Sequence, residues 1–75
     1  MEFDKECDAS GLACPLPIVK AKKALAGMQP GQVLRLISTD SGSIADVPVL
    51  AQSGGHALLA SADEGGRYVF LLRRG

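Results

Sequence analysis

Tryptophan is absent from the chain, and Phe3, Tyr68 and Phe70 are its only aromatic residues, too few to build a platform on which nucleobases stack. Charge of either sign is equally lacking: eight basic and eight acidic residues cancel, which excludes nucleic-acid binding through bulk charge and leaves open only a local basic face. Cysteine is scarce, with two in 75 residues, so no disulfide scaffold is expected. There is one histidine, His56, and no Cys-x-x-Cys spacing or fourth ligand to make a zinc site of Cys7, Cys14 and His56; no metal is expected. Neither Gly-x-Gly-x-x-Gly nor a P-loop occurs, and no nucleotide or other cofactor is expected. No apolar run is long enough to cross a bilayer, and Met1-Glu2-Phe3-Asp4-Lys5-Glu6 lacks the apolar core of a signal peptide. The expected compartment is the reducing cytoplasm, with no membrane partner. What remains is 47% hydrophobic and 21% charged, the balance of a globular chain, and its length predicts one domain over residues 1–75. A chain this small buries only about 60% of its unfolded surface, so any pocket is shallow.

The informative stretch is Asp8-Ala9-Ser10-Gly11-Leu12-Ala13-Cys14-Pro15-Leu16-Pro17, where an extended run gives way to a Lys-rich periodic one. Proline suits the first turn of a helix, where its missing N–H would have had no partner. Cys14 therefore falls at or beside an N-cap, where free N–H groups and the helix dipole favour a thiolate. Pro15 and Pro17 limit that effect and Asp8 opposes it, so the expectation is a reactive thiol of moderately lowered pKa. Most free cysteines are small buried hydrophobes. Here a thiol held between a glycine turn and two prolines reads instead as exposed and fixed in direction.

Around it the chain reads as two strand–helix units and a hairpin. In the run from Glu2 to Ala9, Phe3, Cys7 and Ala9 share one face, with Lys5 interrupting it, as in an edge strand. Cys7 is read as a packed core thiol, against the rival roles of resolving cysteine, metal ligand or second acceptor thiol. Pro15 to Met28 places Ile18, Ala21, Leu25 and Met28 on one helical face, with Lys20 and Lys23 opposite and Lys22 at the border. Those lysines are either a solvated face or a docking surface. Val33 to Thr39 is a central strand with Leu34 and Leu36 toward the helices and Val33, Arg35 and Ile37 on the open face. A second helix carries Ile44, Val47, Leu50 and Ala51 inward and ends at Gly54-Gly55. Pro48 leaves its start open between Ser43 and an Asp46 N-cap. His56–Ala62 and Arg67–Arg73 form an antiparallel hairpin, with His56 an ordinary strand residue. Asp8 and Asp40 follow parallel strands and so emerge at one sheet edge, although strand end and turn are also ordinary uses of Asp.

Asp8-x-x-Gly11-Leu12-x-Cys14-Pro15-x-Pro17 and Met28-Gln29-Pro30-Gly31, followed by Thr39-Asp40, Asp46-Val47-Pro48 and Gly55-His56, resemble the TusA (SirA-like) family of sulfur carriers over nearly the whole chain. The family pattern is departed from at Ser41, where a proline is usual, and at Leu50 and Ala51. The resemblance implies an α+β fold, a two-layer βαβαββ sandwich of a four-stranded mixed sheet with two helices on one face. It implies that Cys14 takes sulfane sulfur as a persulfide from a sulfurtransferase, rhodanese-like protein or cysteine desulfurase and relays it to an acceptor protein. Pro15 and Pro17 would present the thiol, Asp8, Asp40 and Asp46 would support it, and Lys20, Lys22 and Lys23 would meet the partner of a monomeric carrier. Rival readings are a redox-sensing interaction module without sulfur transfer and a stand-alone thiol reductase, the latter lacking an assured resolving cysteine.

Overall fold

The computed structural model describes residues 2–75, in the order β1 (Lys5–Ala9), α1 (Leu16–Ala26), β2 (Val33–Ser38), α2 (Ser43–Gly54), β3 (Ala57–Asp63) and β4 (Tyr68–Arg73). The strands form one sheet in the order β1-β2-β4-β3, with β1 parallel to β2 and β4 antiparallel to both neighbours. Both helices pack on the same face, giving the two-layer mixed-sheet fold that the sequence pattern implies.

Alternation in the strands decides what faces the helices. Leu34 and Leu36 of β2, opposite Leu72 and Phe70 of β4, are buried with Cys7 and Ala9 of β1. From above they meet Ala21, Ala24, Leu25, Met28, Val47, Leu50 and Ala51. Each fully buried leucine contributes about 1.5–3 kcal/mol. Helix α1 is a run of good helix formers closed at Gly27, where the Gly27 N–H reaches the Ala24 carbonyl and the Met28 N–H the Leu25 carbonyl. Its helical stretch stops at Ala26, and Met28 enters the core from the turn that follows.

Three expectations need correction, on the first strand, Ile37 and Ile44, and the open choice of start for the second helix falls on Ser43. The first strand starts at Lys5, and Phe3, 43% exposed, lies outside it with the Arg35 guanidinium 5.7 Å from its ring centroid. Ile37 is only 2% exposed although it faces away from the helices, on the side where Arg35 pairs with Glu6 at 2.6 Å. Helix α2 starts at Ser43, so Pro48 lies inside it. Ile44 points outward at 53% exposure, and buried Ser43 takes the inward place in that turn. The helix ends at Gly54, and Gly55 follows in the left-handed conformation, φ 72°, open to glycine at little cost. No helix among the described residues is long and apolar enough to cross a membrane.

Candidate functional site

Parallel pairing brings the C-terminal ends of β1 and β2 side by side, Ala9 opposite Ser38. The two loops that leave them start the two helices, and Cys14 lies where those loops meet. Its loop is pinned locally: the Ser10 N–H donates to Asp8 Oδ1 at 2.9 Å and the Leu12 N–H to the Ala9 carbonyl at 3.2 Å. Across the loops, the Gly11 N–H donates to Thr39 Oγ1 at 2.8 Å. Pro15 is the N-cap of α1, Pro17 lies in its first turn with its ring buried, and the Cys14–Pro15 peptide bond is cis. Both cysteines are free; Cys14 is exposed, whereas Cys7 is buried in the core.

The second loop supplies the neighbours of the sulfur. Cys14 Sγ donates to Asp46 Oδ2 at 3.2 Å. Gly42 passes so close that a Cβ there would lie 3.7 Å from Cys14 Cβ and 2.9 Å from Asp40 Oδ2. Beneath, the hydroxyls of Ser38 and Ser43, both buried, lie 2.7 Å apart, and Ser38 Oγ accepts the Asp40 N–H at 3.2 Å. This pair ties the end of β2 to the start of α2 and so fixes Asp40 and Gly42. Asp40 Oδ2 is itself buried and accepts no hydrogen bond among the described residues.

The electrostatics reverse the expectation of a lowered thiol pKa. The Leu16 N–H is taken by the Ala13 carbonyl and the Ile18 N–H by Pro15, while the prolines have none, so the start of α1 aims no donor at the sulfur. The hydrogen bond to Asp46, then desolvation and the charges of Asp46 and Asp40, hold the Cys14 thiol above its usual range. Burial raises Cys7 as well.

Asp40 and Asp46 thus lie at the thiol. Asp8 does not: its carboxylate accepts from Ser10, which lowers its pKa, and its carbonyl accepts Lys20 Nζ at 2.9 Å. Lys22 lines a cleft of about 240 Å³ between the helices with Pro15, Ile18, Asp46, Val49, Leu50 and Ser53. Lys20 and Lys23 are exposed elsewhere on α1. His56 is at the opposite end of the sheet, its Nδ1 accepting the Gly75 N–H at 3.0 Å. Sequence reading missed Ser38, Ser43 and Gly42; the only signal was Asp40-Ser41-Gly42-Ser43, which looks like any polar turn.

The family model described as Sulfurtransferase TusA matches residues 5–74, a span that holds every strand, both helices and Cys14. The chain belongs to the TusA family. Sulfur carrier protein TusA of Allochromatium vinosum is 51% identical over 73 residues, covering 97% of this chain and 96% of its own. A second relative, described as the putative sulfur carrier protein YrkI of Bacillus subtilis, is 45% identical over 75 residues and aligns over the full length of both chains. Among solved structures, a SirA-like protein from Desulfitobacterium hafniense superposes with a TM-score of 0.83 at 26% identity, over 96% of this chain and 99% of that one. The fold is therefore shared with that SirA-like protein over 96% of this chain.

Proposed function

We infer that this TusA-family chain is a sulfur carrier and that Cys14 is the atom that carries. The single observation behind the assignment is an exposed thiol, fixed in direction by the loops that start both helices. Loading begins with loss of the Cys14 proton to solvent. The thiolate attacks the terminal sulfur of a donor persulfide, the donor's S–S bond breaks, and the donor leaves as a thiolate. Delivery is the mirror step: an acceptor thiolate takes the outer sulfur and Cys14 departs. The donor we assign is a cysteine desulfurase or rhodanese-like protein and the acceptor another protein.

In this reading Pro15 and Pro17 hold the thiol in place, and Asp40 and Asp46 act on it directly. Asp8 supports it at one remove by folding the Ser10 turn. Lys22, in the interhelical cleft that Pro15 and Asp46 also line, is the foremost partner-binding lysine, ahead of Lys20 and Lys23. We assign a monomer in the reducing cytoplasm, where two free thiols persist. A redox-sensing module is disfavoured because oxidation follows thiolate character, which the neighbouring carboxylates suppress.

The test is intact mass after incubation with a sulfur donor. A gain of about 32 Da for each sulfur taken up by exchange is expected in the native chain and absent from Cys14→Ser. An equal gain in Cys14→Ser would move the function to another residue.

A further inference from the structure

We propose that the partner surface exchanging sulfur with Cys14 places a cation, a guanidinium or ammonium, against Asp46, and that Asp46 with Asp40 thereby selects cationic over anionic reactants. The inference rests on Cys14 being the reacting atom.

Asp46 Oδ2 accepts from the sulfur, and no Lys or Arg pairs with this carboxylate among the described residues. Asp40, its Oδ2 buried and unpartnered, adds a second negative charge to the same sulfur. On α1 the charged groups of this end are Lys20, turned to the Asp8 carbonyl, and Lys22, across the cleft. Neither forms an ion pair with Asp46. Much of the cleft wall is apolar: Pro15, Ile18, Val49 and Leu50 line it with Asp46, and Leu16, Val19 and Ile44 are further exposed apolar side chains on the same two helices. Apolar surface around one unpaired carboxylate is complementary to a partner patch that is itself apolar and carries one positive group.

Chemistry gives that match a consequence. A cation beside Asp46 offsets the charge that disfavours the thiolate, so the nucleophile forms when the right partner is seated. An anionic reactant meets repulsion from two carboxylates as well as a protonated sulfur.

Small disulfides test this without a known partner. In each exchange Cys14 thiolate attacks one sulfur, a Cys14 mixed disulfide forms, and the other half leaves as a thiolate, followed by intact mass. The probes are cystamine, which is cationic, 2-hydroxyethyl disulfide, which is neutral, and dithiodiglycolate, which is anionic. Comparing ratios between proteins cancels the reagents' own reactivities. The cystamine-to-dithiodiglycolate rate ratio is expected to fall roughly two- to fivefold in Asp46→Asn, the scale of exposed charge pairs. Asp46→Glu should largely retain it, Asp40→Asn should lower it less, and added salt should lower it in the native chain. A ratio that is unchanged in Asp46→Asn, or indifferent to salt in the native chain, overturns the proposal. Sulfur loading at Cys14 would be untouched by that failure, because it is read by mass with a persulfide donor.

Discussion

The two cysteines of this chain differ by environment, and each environment makes a prediction. Cys14 is exposed but faces Asp46 and Asp40, so its thiolate fraction at neutral pH lies below that of an unstructured cysteine. Its alkylation rate with iodoacetamide is expected to climb later on the alkaline side than that of a cysteine peptide measured in parallel. A rate already level at neutral pH contradicts this. Cys7 is 6% exposed in the core, and burial raises its pKa. The unfolded chain then releases that proton at lower pH than the folded one, so the stability tied to Cys7 is complete below the ordinary thiol pKa. It is lost as pH rises through the raised value. Urea unfolding at neutral and alkaline pH should show this fall, and Cys7→Ala should reduce it. The thiol's position was legible because Gly11, Cys14, Pro15 and Pro17 punctuate the chain. Its electrostatics were not, because Asp46 is 32 residues away and meets the sulfur only through the packing of α2.

Helix α2 is the element that brings the site together, and two substitutions probe how. Ser43 starts the helix and shares a buried hydroxyl contact with Ser38. Ser43→Ala is expected to destabilise by about 1–3 kcal/mol in urea melts, by leaving buried polar groups less satisfied. It should also alter the Cys14 alkylation profile, since Asp40 and Gly42 lose their anchor. Pro48 lies inside the helix and cannot donate to the Ile44 carbonyl. Pro48→Ala should therefore stabilise, by about 1–3 kcal/mol. The choice of helix start was undecidable from sequence for the same reason. Proline argued for a start near Asp46, while burial of Ser43 in the folded molecule outweighs that local preference. Strand–helix alternation was legible, because the periods in β2 and α1 are unambiguous. The direction of Ile44 was not, because a serine with a buried partner took its place.

At the scale of the whole molecule, the margin is thin. Leu34, Leu36 and Leu72 are fully shielded and occupy the two central strands. Leu36→Ala is expected to cost about 2–5 kcal/mol. Total stabilities of about 0.05–0.15 kcal/mol per residue make that a large fraction for 75 residues. Calorimetry should show a much lower or absent transition. Ile37 illustrates what composition hides: a strand face without helices still shelters an isoleucine, between Asp8 and Val69 on the neighbouring strands. The sheet has two outer strands, and they are guarded differently. β1 carries Lys5, Glu6 and Asp8, whereas β3 has Leu59 as an extra residue between Leu58 and Ala60 that breaks its register. An interrupted ladder is a poor template for another copy of itself. Removing Leu59 would straighten that border, and a concentrated solution of the shortened chain should scatter light by stacking strand to strand.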